Sequence, residues 1–293
     1  MQAVLVALGG LPSLVDVPAP KPGAGEVLVR IAAAAVNPVD AFTAAGGPRD
    51  AGWVDADAVL GLGWDLAGEV VSAGEGATLA PGTRVAAIVA DPTVATFAEY
   101  VALPEAHVAM IPEGVGTVDA AALPLAALTA AQALDLAGPP SGELLITGAA
   151  GAVGGFAVTL AARAGWAVTG LARESDRDTV LAFGAARAVT DPSGEYAVVL
   201  DAAVLGEAVA ALVRDGGTYV GVIPGGEPRT ERIRAVAVSA APDGERLAGL
   251  LDLAARGALA SRVRTTVPLS RFDEALAEAA TSGARGKVVL TVA

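Results

Sequence analysis

The sequence predicts an α/β protein in which a small β-rich unit is followed by a doubly wound parallel sheet with crossover helices. Two observations carry this. The first hundred or so residues alternate short Val/Ile/Leu-rich runs with Gly/Pro punctuation, the texture of a small barrel or sandwich. From residue 143 a strand–helix–strand rhythm takes over, opened by a glycine-rich turn. Composition agrees. Of 293 residues, 54% are hydrophobic but only 4% aromatic, and 36 are Gly, which suits helices lying close on sheets.

In chain order, MQAVLVALGG has no basic leader before its apolar run, so it reads as a first strand and not as an export signal. Strands are predicted at Glu26–Ile31, Ala67–Val71, Thr83–Val89 and Phe97–Val101, with turns at Pro18–Gly25 and Gly74–Gly82. The character changes at Ile111-Pro112-Glu113-Gly114. Asp119–Leu136, Ala-rich and apolar on nearly every side, predicts one or two buried helices. Strand Glu143–Thr147 then leads through a Gly turn into helix Gly154–Ala164, and strand Ala167–Leu171 into helix Ser175–Phe183. Strands follow at Ala197–Leu200, Thr218–Ile223 and Ile233–Val238. A helix starts near Asp243, Arg262–Pro268 comes next, a helix spans Phe272–Ala280, and a last strand covers Lys287–Val292.

Several function classes are disfavoured at once. A formal charge of −13 argues against nucleic acid or anionic membrane as partners. The absence of Cys removes disulfides, iron–sulfur clusters and thiolate-bound zinc. The stretch Leu144–Ala162 is nineteen residues long and uncharged, but its glycines break it where a strand would turn into a helix. It is read as a buried strand–turn–helix in a soluble, cytoplasmic protein.

The chemistry centres on Ile146-Thr-Gly148-Ala-Ala-Gly151-Ala-Val-Gly154-Gly155. A glycine turn between strand and helix lets backbone N–H groups approach a pyrophosphate, and the helix N-terminus adds partial positive charge. The candidate cradle is therefore Gly148, Ala149, Ala150, Gly151, Ala152, Val153 and Gly154. The end of the following strand selects the dinucleotide: an acid there favours NADH, an Arg the 2′-phosphate of NADPH. Here it reads Gly170-Leu-Ala-Arg173-Glu-Ser175-Asp-Arg177, so Arg173, with Ser175 and Arg177 behind it, favours NADPH. Glu174 keeps NADH open as the less favoured alternative.

Other chemistries lack their parts. The single His, His107, has no partner at metal-ligand spacing, and no Gly-x-Ser-x-Gly elbow exists. None of Tyr100, Tyr196 and Tyr219 is followed four residues later by Lys, and the only lysines are Lys21 and Lys287.

At this point the order of motifs resembles the medium-chain dehydrogenase/reductase superfamily, in its zinc-free quinone oxidoreductase branch, the zeta-crystallin-like enzymes. Asn37-Pro38-Val39-Asp40 is similar to the family's Asn-Pro-x-Asp, and Gly63-Trp-Asp65-Leu-Ala67-Gly68-Glu-Val70 to its Gly-x-Asp-x-Ala-Gly-x-Val. Pro81-Gly82-Thr-Arg-Val85, Phe97-Ala98-Glu99-Tyr100, Ala121-Ala122-Leu-Pro124, Leu128-Thr129-Ala130 and Arg285-Gly286-Lys287-Val-Val-Leu extend the match nearly end to end.

The resemblance implies a chaperonin-10-like barrel domain of residues 1–112 and 241–293, completed by the C-terminal segment. It also implies a Rossmann domain of residues 113–240, with the active site in the cleft between the two. In zinc-dependent relatives, Cys stands near the position of Asn37 and His near that of Trp64. With both absent, no catalytic metal is expected, and the acceptor must already be electrophilic: a quinone or an α,β-unsaturated carbonyl. By resemblance, Asn37 is the polar residue nearest the nicotinamide, Thr129 lines the same wall, and Val222 and Ile223 brace the ring or simply pack their strand. Asp40 and Asp65 are expected in supporting or structural roles. The family's Asp-x-Tyr-x-Arg is here Asp40-Ala-Phe42-Thr-Ala44, so the Tyr hydroxyl is lost and a solvent proton becomes the default. An enoyl-thioester or alkenal reductase is one alternative; a non-catalytic NADPH-binding redox sensor is another. The apolar strand Ile233–Val238, if it forms the sheet edge, is expected to pair with its copy in a homodimer.

Overall fold

The computed structural model describes every residue of the chain except 282 and 284. It divides into two compact units, one of Met1–Leu125 with Pro242–Ala293 and one of Ala126–Ala241.

The strands and helices are, in order, β1 (Gln2–Val6), β2 (Ser13–Asp16), β3 (Glu26–Ala35), α1 (Pro38–Ala44), α2 (Gly47–Asp50), β4 (Leu60–Gly61), β5 (Asp65–Ala73), β6 (Arg84–Ile88), β7 (Tyr100–Pro104), β8 (Val108–Met110), α3 (Thr117–Ala121) and α4 (Pro124–Ala137). They continue with β9 (Glu143–Thr147), α5 (Ala152–Arg163), β10 (Ala167–Leu171), α6 (Arg177–Ala182), β11 (Arg187–Val189), β12 (Tyr196–Asp201), α7 (Glu207–Ala210), β13 (Val213–Gly221) and β14 (Arg234–Ala237). The chain ends with α8 (Gly244–Ala255), β15 (Val263–Pro268), α9 (Phe272–Ala279) and β16 (Lys287–Thr291).

The first unit is built around β3. Along one edge it pairs with β5. Along the other it pairs with β7 over Glu26–Arg30 and with β16 over Ala33–Ala35. The C-terminal strand thus completes a sheet begun by the N-terminal third of the chain, as the resemblance implied. Val27, Val29 and Ile31 alternate inward, whereas Ala33, Ala34 and Ala35, where β5 and β16 flank the strand, are all buried. At Gly68, an added Cβ would lie 2.1 Å from the Arg30 carbonyl oxygen, so that close approach requires glycine. Helix α1 starts at Pro38, and Asp40 at its third position reaches back to the Asn37 N–H at 2.7 Å.

The second unit is a six-stranded parallel sheet in the order β11-β10-β9-β12-β13-β14. Counted within the unit this is 3-2-1-4-5-6, the doubly wound order whose ligand crevice opens beyond the carboxyl ends of the two central strands. Leu144, Leu145 and Ile146 are fully buried, as a strand covered on both faces demands. The apolar stretch Leu144–Ala162 divides into β9, a turn and α5; no described helix is long and apolar enough to cross a membrane.

Three expectations shift. The break between units falls within α4, after Leu125 and not after residue 112, and the Leu125 N–H is tied to Asp65 of the first unit. The strand expected at Phe97–Val101 is β7 at Tyr100–Pro104, because Phe97 is a fully buried core residue whose N–H pairs with the Leu62 carbonyl. The strand expected to reach Ile223 ends at Gly221, which leaves Val222 and Ile223 just beyond β13. Strand β14, within Ile233–Val238, is the edge of its sheet, which meets the condition on which its pairing was raised.

Candidate active site

In the second unit the glycine turn caps β9. Gly148 takes φ +56°, and its carbonyl accepts from the Gly151 N–H at 2.7 Å, so the chain doubles back before Gly151 caps α5. Gly154, in the first turn of that helix, sits directly on this bend; a Cβ there would lie 2.2 Å from the Gly148 oxygen. Gly170 on β10 gives the turn room on its other side, since a Cβ there would meet Ala149 Cβ at 2.9 Å. The first N–H groups of a helix have no intrahelical acceptor, so Ala152, Val153 and Gly154 present donors where a pyrophosphate is recognised. The glycines leave this cradle free of side chains, and it fits a dinucleotide.

Arg173 follows β10 by two residues and is solvent-exposed, with its Nε 3.2 Å from the buried carboxylate of Asp176. Ser175 is exposed in the 3-10 turn Glu174–Asp176, as is Glu174. Arg177 donates to the Ala188 carbonyl at 3.2 Å. Val222 is half-buried and Ile223 exposed beyond β13, and Thr129 is buried within α4.

Beside the turn lies a lock that sequence reasoning missed. Asp201, fully buried at the end of β12, accepts from Thr147 Oγ1 at 2.5 Å, Tyr219 Oη at 2.9 Å and the Gly206 N–H at 2.8 Å. Thr147 in turn accepts from the Ala203 N–H at 2.9 Å. Together they pin the loop 202–206 against the bend, where Ala203 Cβ would be 3.2 Å from a Cβ on Gly148. Burial first, then Asp201, pushes the Tyr219 phenol far above its ordinary value. The phenol therefore keeps its proton and donates it in the hydrogen bond to Asp201.

In the first unit a buried polar cluster gathers Asn37, Asp40 and Asp65 with Lys287. Asn37 Nδ2 donates to Asp65 Oδ2 at 2.9 Å and to the Ala35 carbonyl at 3.2 Å, while Lys287 Nζ donates to Asn37 Oδ1. Lys287 Nζ also lies 3.4 Å from Asp65 Oδ2, and Asp65 Oδ1 accepts from the Leu125 N–H at 2.7 Å. Burial raises the Asp65 carboxyl above its usual range, opposed by Lys287, Asn37 and Leu125 in that order.

Residues 23–113 match the alcohol dehydrogenase GroES-like domain, and residues 172–290 match the family described as zinc-binding dehydrogenase. The chain is 30% identical to a chloroplastic quinone oxidoreductase of Triphysaria versicolor, over 94% of this chain and 92% of that protein. It belongs to the quinone oxidoreductase branch of the medium-chain dehydrogenase/reductase superfamily. A quinone oxidoreductase structure from Coxiella burnetii superposes with a TM-score of 0.87 at 27% identity, covering 100% of this chain and 99% of that one. A trans-enoyl reductase of Aspergillus flavipes is 32% identical over 73% of this chain and 64% of that protein.

This superfamily of oxidoreductases binds a nicotinamide cofactor, and the turn at Gly148–Gly154 has the shape for one. Zinc is a different matter. Among the described residues no group of three or more His, Cys, Asp or Glu is placed to hold a metal ion. The lysine within the Asn37–Asp65 cluster places a positive charge where a divalent cation would need ligands. The donor set does not fit catalytic zinc.

Lys287 is the member of this cluster that the sequence did not expose. Its motif was legible only as the last strand. The available signal was rarity: two lysines among 19 Lys and Arg, one of them heading a run of Val and Leu.

Asp40 carries a pH dependence. Fully buried, its carboxyl is pushed from 3.8 up to about 7, chiefly by burial and also by Asp65, with the Asn37 N–H and Lys287 opposing. A folded value above the unfolded one means the folded state binds more protons between the two. That contribution to stability is full below about 4 and lost as pH rises through about 7. Asp40→Asn is therefore expected to gain melting temperature relative to the wild type between about pH 5 and about pH 8. Parallel melting curves for the two proteins across that range would contradict it.

Proposed function

We propose that this oxidoreductase uses NADPH, without zinc, to reduce a small electrophilic acceptor, a quinone or an α,β-unsaturated carbonyl. The observation that carries the reading is the glycine turn over the central strand of the sheet, with the exposed Arg173 two residues beyond the neighbouring strand. When bound, the cofactor supplies a hydride from nicotinamide C4. Gly148–Gly154 would hold the pyrophosphate on backbone N–H groups and on the positive end of α5. Arg173, Ser175 and Arg177 would receive the 2′-phosphate, while Thr129, Val222 and Ile223 would flank the nicotinamide. Asn37 would belong to the acceptor side, its amide held by Lys287 and Asp65.

The quinone assignment is supported by the relatives named quinone oxidoreductase. The trans-enoyl reductase relative favours a second reading within the same chemistry, reduction of an enoyl thioester or an alkenal. Both are tested by following NADPH oxidation with a quinone, an enone, an enoyl thioester and no acceptor. Tight NADPH binding with no turnover on any of them would overturn the proposal. Arg173→Glu tests the cofactor. It is expected to weaken NADPH binding about 10–100-fold, equivalent to one charge-assisted hydrogen bond of about 1.5–3 kcal/mol. Binding of NADH should change far less, and equal losses for both would sink the 2′-phosphate assignment.

A further inference from the structure

We infer that Lys287 is a catalytic residue: its unengaged N–H binds the acceptor oxygen on which negative charge develops and yields a proton to it. The inference rests on the reduction proposed above and names the donor that this reaction would otherwise lack, Phe42 having no hydroxyl to offer.

Donors in the buried cluster are few, and all but one are committed. Asn37 has two amide hydrogens, and both are committed, to Ala35 and Asp65. Its orientation is fixed, because turning the amide over would set NH2 against the lysine ammonium and oxygen against the carboxylate. Asn37 therefore holds other groups in place and has no hydrogen left for an acceptor. Asp65 uses both oxygens, and Asp40 is fully enclosed at 0% exposure. Lys287 differs in its donors. An ammonium has three N–H bonds, and only two are engaged among the described residues, by Asn37 Oδ1 and Asp65 Oδ2. It also keeps 8% of its surface accessible. Of the groups in this cluster it alone carries an uncommitted hydrogen on a residue that is not fully enclosed.

Stability gives no sufficient reason for the lysine. A buried ion pair rarely outperforms an apolar residue of similar size, and the flanking Val288, Val289 and Leu290 show that the strand is otherwise built of such residues. A fixed cation at a developing oxyanion is worth most where water is excluded.

The step balances. Hydride addition forms a C–H bond at the β-carbon; the C=C pair shifts to the bond between the α- and carbonyl carbons, and the carbonyl π pair moves to oxygen. One proton passes from Lys287 Nζ to that oxygen, giving the enol, or from a quinone the keto tautomer of the hydroquinone, which aromatises by losing its ring C–H proton to water and gaining one on the second oxygen. The neutral amine regains a proton from water.

The test uses the full-length enzyme with Lys287→Met. A second variant, Lys287→Met with Asp65→Asn, leaves no unpaired charge should the first fail to fold. Two readouts are taken: kcat on the wild type's best acceptor, and the titration of 4-nitrophenol bound to the protein. The charged groups facing the lysine are Asp40 and Asp65, both of which would disfavour a bound phenolate, so ionisation of the probe reports the cation. The wild type should bind 4-nitrophenol ionised at a lower pH than in water, and the variants should lose that shift. They should also lose about 10²–10³-fold in kcat with NADPH affinity intact. Wild-type kcat without the lysine, or a nitrophenol shift that is absent from the wild type or survives in the variants, would overturn the inference. An enzyme that reduces no acceptor yet shows a lysine-dependent shift would count against the proposed reduction while leaving the oxyanion donor in place.

Discussion

Gly154→Val is expected to abolish dinucleotide binding while leaving the first unit folded. Even a single carbon on this residue would lie 2.2 Å from the Gly148 oxygen, 2.7 Å from its carbonyl carbon and 3.1 Å from Ala149 Cα. All three are backbone atoms, so no side chain can swing away; the bend itself must move or α5 must lift from it. Either motion displaces the N–H groups meant for the pyrophosphate, and the helix end no longer presents its donors and positive pole to the phosphates. Gly249→Ala is the matched control. It lies inside α8 with nothing within 4 Å of an added Cβ, and alanine there should be neutral or stabilising by up to about 1 kcal/mol. Titration of NADPH by fluorescence checks both, and a Gly154→Val protein that binds like the wild type would refute the assignment of the turn.

The second large effect is expected at Asp65. Asp65→Ala removes the acceptor of Lys287, Asn37 and the Leu125 N–H in one stroke and leaves a buried cation without its carboxylate. Breaking a buried pair from one side costs about 3–5 kcal/mol, a large share of the roughly 5–15 kcal/mol that holds a domain folded. The reverse change should be milder. Without Lys287 the Asp65 carboxyl, already raised by burial, can take up a proton and become neutral. Bringing an ordinary lysine to neutrality at pH 7 costs about 1.4 kcal/mol for each of more than three units. Hydrogen exchange along β3 and β5 measures this locally, without assuming that the two units unfold together. Equal protection losses in Asp65→Ala and Lys287→Met would contradict the asymmetry.

What the sequence made legible followed from how local each signal is. The glycine turn was readable because strand, bend and helix are contiguous, and because the backbone contacts at Gly148 and Gly154 admit one residue type. The parallel sheet was readable because its strands are continuous apolar runs between helices. Strand ends were less so. Ala32 to Ala35 carry no alternation, so β3 looked shorter than its ten residues. Phe97 looked like a strand residue when it is the core anchor before one. The acceptor side was the least legible. Asn37, Asp40 and Asp65 were drawn together by motif resemblance, but Lys287 is 250 residues from Asn37, and only the pairing of β16 with β3 brings them into contact. Asp201 was hidden for a similar reason, since its side-chain partners Thr147 and Tyr219 lie on two other strands, β9 and β13.

The central claim, hydride transfer from NADPH to an electrophilic carbon, is tested most directly by isotope. The enzyme is supplied with NADPH deuterated at both C4 positions and with a conjugated enone in ordinary water, and the product is read by mass spectrometry and NMR. The account predicts one deuterium on the β-carbon and a solvent-derived hydrogen on the α-carbon. NADPH consumed without deuterium reaching the product would contradict it.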